Sequence, residues 1–208
     1  MIASPKVAII DCGVGNHTSV YNALTLLKIP AAITCDPEAI ASSTHLIFPG
    51  VGSFAEGMEG IKERGLLELL QEEVMVRKKR ILGICLGMQL FVSEGFEHGH
   101  FKGLGFIPGK VIKIDTTASG LRLPHIGWND VHVIGDHQIT KGFDRPPIFY
   151  FVHSYHVVPD DPSVIAGVCD YGVDVTALIE HANVFGAQFH PEKSHDDGMQ
   201  IFKNFLEM

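Results

Sequence analysis

Short apolar runs alternate with helical patterns over the first half of the chain. Residues 6–10 predict a buried strand, and a glycine-rich turn at residues 11–16 follows them. Apolar residues then recur at the spacing of one helical face, at Val20, Ala23, Leu24 and Leu27. Strand, tight turn and helix together predict an α/β unit. The turn lacks the third glycine of a dinucleotide fingerprint and the lysine of a phosphate-binding loop, so it is a weak signal for a nucleotide site.

Two further strands are predicted before residue 80. They cover residues 31–35 and 45–48, which are apolar and bounded by turn signals. Asp36, followed by a proline, predicts a helix start, because the carboxylate can cap and proline fits the first helical position. The loop at residues 49–54 follows a strand, and open α/β sheets place their sites at such carboxyl ends. Helical patterns are predicted over residues 54–62 and 66–78.

The second half of the chain has a different pattern, since strand-like segments follow one another without long helices. They are predicted at residues 105–114, 128–134, 148–158, 164–169, 175–181 and 184–189. The last two flank a short turn and predict a hairpin. A final helix is predicted over residues 198–208. We therefore expect an α/β fold with a central, mostly parallel sheet, added antiparallel strands and helices on both faces, formed by residues 1–208 as a single domain.

The composition and net charge of the chain limit the kinds of molecule that it is expected to bind. The chain has 208 residues, 46% of them hydrophobic, and a formal net charge of -8. This acidic balance argues against nucleic acid and anionic membranes as partners. The four cysteines show no paired spacing. With no basic leader and no apolar stretch long enough to span a bilayer, these features predict a cytoplasmic protein.

The segment around Cys85 has the spacing of a nucleophile elbow. An apolar run, residues 81–84, ends at Cys85 between Gly83 and Gly87, and a helical pattern opens at residue 88. Such a sharp strand-to-helix turn lifts its central side chain above the sheet. The helix N-terminus would favour the thiolate. The alternative is that Cys85 is a small buried apolar residue, as free cysteines commonly are.

A histidine and a carboxylate at the end of the last predicted strand can complete such a site. His190 and Glu192 lie two residues apart, on either side of a proline. In extended geometry both side chains point to the same side. A cysteine nucleophile needs a base, and the base needs an acceptor that orients its ring. The alternative is an ordinary histidine that ends a strand.

Residues 83–89 and 189–192 resemble the two motifs of class I, triad-type, glutamine amidotransferases. The finer resemblance is to the family of glutaminase subunits of imidazole glycerol phosphate synthase. It rests on five further stretches, at residues 11–16, 49–54, 103–109, 124–129 and 150–155. The resemblance covers essentially the whole chain. It implies a flavodoxin-like fold that hydrolyses L-glutamine to glutamate and ammonia, with no cofactor and no metal.

The resemblance also implies a role for each site residue. Cys85 would be the nucleophile, His190 the acid and base, and Glu192 the group that orients His190. Backbone N–H groups of Val51 and Leu86 would bind the oxyanion, after the Val51 peptide flips in response to a partner. The positions that correspond to substrate contacts are Gly50, Gly52, Gln89, Ser154 and Tyr155.

The partner implied by the resemblance is a (β/α)8-barrel cyclase subunit, bound as a heterodimer. It would use the ammonia to make imidazole glycerol phosphate and a purine-pathway ribotide, AICAR, in histidine biosynthesis. The positions that correspond to the interface are Asn16, Trp128, Tyr150 and Lys193. From composition alone, Trp128 could instead fill the core.

Several alternatives stay open at the level of sequence. Cys12 and His17 depart from the family pattern, and this leaves the identity of the partner open. The alternative function is that of a paralogous subunit, which supplies ammonia to another synthase such as one for a surface sugar. A stand-alone cysteine hydrolase or chaperone would not need the motifs at residues 49–54 and 189–192. A non-catalytic subunit would be expected to lack Cys85, His190 or Glu192. His98 and His100 are interpreted as solvated loop residues rather than metal ligands, and Cys12, Cys35 and Cys169 as buried or inert.

Overall fold

The computed structural model describes residues 5–13 and 15–208; residues 1–4 and Val14, part of the predicted glycine-rich turn, lie outside the described residues. The strands are β1 (Val7–Ile10), β2 (Ala31–Thr34), β3 (His45–Gly50), β4 (Arg80–Cys85), β5 (Val92–Gly95), β6 (Phe101–Lys102), β7 (Ile107–Lys113), β8 (His125–Asp130), β9 (His132–Val133), β10 (Ile148–His153), β11 (Tyr155–Pro159), β12 (Ile165–Asp170), β13 (Asp174–His181) and β14 (Val184–Ala187). The α-helices are α1 (His17–Leu26), α2 (Pro37–Ser42), α3 (Phe54–Glu63), α4 (Leu66–Leu70), α5 (Leu86–Gln89) and α6 (His195–Glu207).

The largest sheet confirms the predicted fold class. Its strand order is β2-β1-β3-β4-β14-β13-β12-β9. The first five strands run parallel, and β13, β12 and β9 continue the sheet in antiparallel pairs. If the five parallel strands are numbered among themselves in chain order, so that β14 is the fifth, their order is 2-1-3-4-5, as in flavodoxin-like folds. Two smaller sheets, β11-β7-β5-β6 and β10-β8, lie beside it.

Helices cover both faces of the large sheet because its strands are apolar on both sides. In β1, Val7 and Ile9 pack into one core cluster, while Ala8 and Ile10 pack into the other. Successive strand residues point to opposite faces, so this alternation divides the core in two. Residues of α1 and α6 lie in the first cluster, and residues of α2, α3 and α4 lie in the second.

Two predicted strands are each divided in the structure. The segment 148–158 breaks at Ser154, so that β10 pairs with β8 while β11 pairs with β7 in another sheet. The segment 128–134 similarly separates into β8 and β9, and β9 joins the large sheet through β12. Neither break contains a glycine or a proline, so the strongest turn signals are absent from the sequence there. The predicted hairpin is confirmed by the antiparallel pairing of β13 with β14.

The helix boundaries also differ from the prediction. The helical pattern at 66–78 is α-helical only to Leu70 and continues as a π-helix over Gln71–Val76. The last helix begins at His195 rather than at residue 198. Gly198 lies in its first turn, where a Cβ would overlap the Pro191 carbonyl oxygen. The Asp36 cap of α2 is present, with its side chain accepting from the Glu38 amide. Within residues 5–13 and 15–208, no helix is long and apolar enough to cross a membrane.

The hairpin turn that precedes the predicted base is held by one side chain. The Asn183 amide donates to the carbonyls of Val74 and Lys79, both at 2.9 Å. Asn183→Ala should therefore lower the free energy of unfolding by about 1–3 kcal/mol, because two partly buried carbonyls lose their donor. Urea denaturation monitored by circular dichroism measures this change. The exposed neighbour His181 provides a matched control, since His181→Ala should stay within about 0.5 kcal/mol of the wild type. Equal stability of Asn183→Ala and the wild type would contradict the role given to this amide.

Candidate active site

Cys85 occupies a strained turn at the end of β4. Its backbone has φ 55° and ψ -113°, in a region that residues with a side chain seldom adopt. Glycines on both sides permit the close packing around it. A Cβ on Gly87 would overlap the Phe48 carbonyl oxygen, and one on Gly83 would lie 2.6 Å from the Met88 nitrogen. The local geometry is therefore that of the nucleophile elbow predicted from the sequence.

The helix behind the elbow is short. α5 spans Leu86–Gln89 and has only four residues before the chain turns into β5. It begins directly after Cys85 rather than at residue 88. Few aligned peptide dipoles act on the Cys85 sulfur, so the predicted stabilisation of a thiolate by a helix N-terminus is small. Cys85 itself is 7% exposed. A thiolate at this position would need nearby side-chain donors or cations.

His190 and Glu192 form a buried pair beside the elbow. The His190 Nδ1 donates to the Glu192 Oε1 at 2.8 Å, and the two side chains are 2% and 1% exposed. The expected extended backbone between them is wrong, since Pro191–Lys193 forms a 3-10 turn. The contact forms nevertheless. The parallel pairing of β14 with β4 brings this pair to the same sheet edge as Cys85.

The backbone of His190 is fixed from two directions. Its N–H donates to the Tyr150 carbonyl at 2.9 Å. The Ser194 hydroxyl donates to the His190 carbonyl at 2.6 Å and accepts from the Tyr150 N–H at 3.1 Å. The imidazole is thus held in position by neighbouring β10 and by the start of α6.

The charge state of His190 follows from its neighbours. Burial on its own lowers the pKa of His190, but the nearby Cys85 sulfur and the Glu192 carboxylate outweigh that effect and raise the pKa from 6.5 to about 9. The second ring nitrogen, Nε2, is buried and makes no hydrogen bond in this state. A protonated imidazole with a vacant N–H, close to a cysteine sulfur, can stabilise a thiolate and can pass a proton to a leaving group.

One cavity brings most of the predicted site residues together. Its volume is about 640 Å³. It is lined by the predicted residues Val51, Gly52, Cys85, Leu86, Gln89, Ser154, Tyr155 and His190. Glu192 lies behind His190. Gly50 is not part of the lining; it pairs with Cys85 across β3 and β4, and a Cβ on it would lie 2.9 Å from the Gly87 nitrogen.

The side-chain nitrogen of Gln89 already donates two hydrogen bonds within the protein. Its amide nitrogen donates to the Tyr155 carbonyl at 2.9 Å and to the Gln188 Oε1 at 3.0 Å. Both amide hydrogens are therefore used, and only the Gln89 Oε1 remains to accept from a ligand. Gln188, which the motif-based analysis missed, donates in turn to the Cys85 sulfur at 3.8 Å. Its position two residues before His190 is the sequence signal that could have identified it.

Glu97 and Lys113 also line the cavity and were missed. The Glu97 Oε2 accepts from the Phe54 N–H at 2.8 Å, at the start of α3. No local pattern marks these residues, because they are ordinary surface types in loop and strand segments. His98 and His100 are both exposed, as expected, although His98 borders the cavity. No group of three potential metal ligands occurs in the part of the chain that the structure describes.

The other cysteines have different environments. Cys12 and Cys169 are buried, whereas Cys35 is exposed. Burial raises the pKa of the Cys169 thiol to about 12, which makes it a poor nucleophile.

Three of the predicted interface residues form one aromatic cluster at the surface. Trp128 is 50% exposed, which excludes the core alternative. Its ring stacks on His195 at 5.0 Å and meets Tyr150 edge-on at 5.9 Å. The Lys193 ammonium lies 5.7 Å from the centre of the Tyr150 ring. Asn16, the fourth predicted residue, precedes α1 and makes no side-chain capping bond there.

Known proteins are similar to this chain in sequence and in fold. The family model for glutamine amidotransferase class-I matches residues 8–208. Imidazole glycerol phosphate synthase subunit HisH of Pelagibacter ubique is 41% identical over 98% of this chain and 100% of its own length. HisH 2 of Pseudomonas aeruginosa is 43% identical over 97% of this chain and 99% of its own. The solved structure of PurLQS from Thermotoga maritima superposes with a TM-score of 0.77 at 20% identity, over 99% of each chain. The chain belongs to the class I glutamine amidotransferase family.

Proposed function

We propose that this protein hydrolyses L-glutamine to glutamate and ammonia through Cys85, His190 and Glu192. The observation that carries the proposal is the shared cavity, in which a cysteine on a strained elbow lies beside a histidine oriented by a buried carboxylate. This is the arrangement that nucleophilic catalysis by cysteine needs. Membership of the amidotransferase family supports it.

Each group has one part in the reaction. The Cys85 thiolate attacks the carboxamide carbon of glutamine, and the resulting tetrahedral intermediate collapses when His190 protonates the departing ammonia. A thioester remains on Cys85. His190 then takes a proton from water, which attacks the thioester and releases glutamate. Glu192 keeps the proton on the Nδ1 of His190, so that Nε2 faces the reacting atoms throughout.

We assign the oxyanion site to the backbone N–H groups of Val51 and Leu86. Leu86 follows the nucleophile, as the elbow geometry requires. Val51 lies at the cavity on an exposed turn that ends in Gly52, whose φ of 107° needs a glycine. A peptide beside glycines can rotate at little energetic cost. A flip of the Val51 peptide would then complete the site only when a partner binds, and the isolated chain would hydrolyse glutamine slowly.

The cavity suits the amino-acid end of glutamine as well. Gly50, Gly52, Gln89, Ser154 and Tyr155 are the proposed substrate positions. The Gln89 Oε1 is available as an acceptor, and Glu97 and Lys113 place opposite charges at the same cavity. A zwitterionic ligand matches such a lining, because its ammonium and carboxylate groups can each find an opposite charge.

We infer further that the ammonia passes to a (β/α)8-barrel cyclase in a heterodimer, for synthesis of imidazole glycerol phosphate and AICAR. The names of the full-length relatives support this histidine-pathway role over the surface-sugar alternative. Asn16, Trp128, Tyr150 and Lys193 are the proposed contacts. A half-exposed tryptophan among other rings is typical of an interface anchor. We also propose that residues 1–208 form one amidotransferase domain and that it acts in the cytoplasm.

Cys85→Ala tests the nucleophile. Glutamine hydrolysis should fall by about 10⁴-fold or more, because no other group can form the thioester. With the cyclase present, synthesis from added ammonium salt should persist. Glutamate release and product formation are the two measurements. Cys35→Ser, at an exposed cysteine, is the matched control and should keep both activities. Loss of both activities in Cys85→Ala would show that Cys85 is structural.

Glu192→Gln tests the buried pair through pH. A folded-state pKa of about 9 for His190, above the ordinary 6.5, adds stability that is fully present below pH 6.5 and is lost as the pH rises through about 9. Removing the Glu192 charge lowers that pKa. The variant should therefore be less stable than the wild type at about pH 6, and the difference should shrink by about pH 10. Urea denaturation at the two pH values measures it, with exposed Glu59→Gln as control. A difference independent of pH would contradict the proposed pairing.

Trp128→Ala tests the partner surface. Loss of a half-exposed anchor should weaken binding of the barrel cyclase by about 30-fold, while the isolated chain keeps its stability. Titration calorimetry with the purified cyclase measures the affinity. Ile33→Ala, on the edge strand β2, removes an exposed apolar residue elsewhere and should leave the affinity unchanged. Wild-type affinity in Trp128→Ala would place the interface on another surface.

A further inference from the structure

Gln188 is a fully buried polar residue that the proposed mechanism does not use. Its side chain lies between Gln89 and Cys85, and it is 0% exposed. Its Oε1 accepts from the Gln89 amide at 3.0 Å, and its Nε2 lies 3.8 Å from the Cys85 sulfur. A buried amide of this kind is placed by its hydrogen bonds, since leaving it unpaired would be costly.

The direction of the Gln188 amide is fixed by a backbone group. The Tyr155 carbonyl can only accept, so the end of the Gln89 side chain that meets it at 2.9 Å must be the nitrogen. That same nitrogen contacts Gln188, so the near end of Gln188 must be its oxygen. The far end, which faces the Cys85 sulfur, is therefore the N–H₂ group. A rotation of either amide would bring two donors or two acceptors together.

The Cys85 sulfur has a second polar neighbour besides His190, the Gln188 amide. The sulfur is buried, and the four-residue helix behind it gives little dipolar stabilisation. The His190 imidazole lies close enough to the sulfur for Cys85 to raise the pKa of His190, although its Nε2 makes no hydrogen bond. Among the residues that the structure describes, the amide of Gln188 is the hydrogen-bond donor to the sulfur. A hydrogen bond to an ionised acceptor is about twice as strong as a hydrogen bond between neutral groups.

We propose that Gln188 is a further catalytic residue, whose amide N–H donates to the Cys85 thiolate and holds the sulfur ready for attack. The Gln89 amide acts behind it as a positioning group, because it links Gln188 to the Tyr155 carbonyl. The inference rests on the proposed function only in taking Cys85 as the nucleophile. No proton leaves the Gln188 amide in the reaction; the hydrogen bond weakens as negative charge leaves the sulfur on formation of the carbon–sulfur bond.

Alkylation of Cys85 by iodoacetamide tests this without any glutaminase assay. The full chain carries Cys35→Ser, because Cys35 is exposed and would also react. Mass spectrometry of the peptide that contains Cys85 gives the rate across a range of pH. In Gln188→Glu, which keeps the size and the acceptor for Gln89 but faces the sulfur with oxygen, the rate near neutral pH should fall about tenfold. The midpoint of the pH profile should rise by about one pH unit.

Two more variants make the outcome specific. Gln188→Met removes donor and acceptor and should lower the rate similarly. Gln71→Met is the matched control: it deletes a glutamine amide away from Cys85, one that donates to the Leu104 carbonyl at 2.6 Å, and it should leave the Cys85 profile unchanged. Because the charge of Gln188→Glu would itself repel a thiolate, the shift must also appear in the uncharged Gln188→Met, or in Gln188→Leu if Gln188→Met fails to fold. A wild-type pH profile of Cys85 alkylation in Gln188→Glu overturns the proposal. If the profile shifts but the wild-type chain does not hydrolyse glutamine, the role of Gln188 is supported and only the proposed function is refuted.

Discussion

The close approach of three backbone segments at Cys85 is the constraint on which the site depends. The end of β3, the elbow after β4 and the first residues of α5 meet so tightly that a Cβ at Gly87 would overlap the Phe48 carbonyl. This packing holds Cys85 at positive φ, a conformation costing about 1–3 kcal/mol that only surrounding structure can maintain. The same contact lies just before the Val51 turn, so the proposed nucleophile and the proposed oxyanion donor are positioned by one set of packed backbone atoms.

Strand order supplies the rest of the site. β14 follows β4 by about a hundred positions in sequence, yet the two strands pair in parallel, Ala187 opposite Ile84. The carboxyl ends of parallel strands meet at one edge of the sheet, so Gln188 and His190 emerge beside Cys85. Burial there makes unpaired charge costly, and two hydrogen bonds reduce that cost: one joins Glu192 to His190, and the other joins Gln188 to Gln89. Topology thus positions the groups, and their hydrogen bonds set their direction.

The sequence predicted the parts of this arrangement that depend on local chemistry. The glycines around Cys85, the Asp36 cap and the hairpin before residue 190 each have a local physical cause, and each is present. The break at Ser154 was not predicted, because strand exchange between sheets depends on which partners are available in space. Glu97 and Lys113 were missed for the same reason. The effect of a helix N-terminus on Cys85 was expected to be larger, but α5 has only four residues.

A short chain of contacts connects the exposed cluster around Trp128 with His190, the proposed base. Tyr150, whose ring belongs to the exposed cluster with Trp128, accepts the N–H of His190 through its carbonyl. Its own N–H is bound to the Ser194 hydroxyl, which donates to the His190 carbonyl. A displacement of β10 by a molecule bound at Trp128 would therefore act on both backbone groups of His190. Coupling through contacts of this kind requires only that β10 and the His190 turn move together, since the hydrogen bonds between them involve rigid backbone. Binding at this surface would thus act on His190 through β10, independently of the Val51 turn.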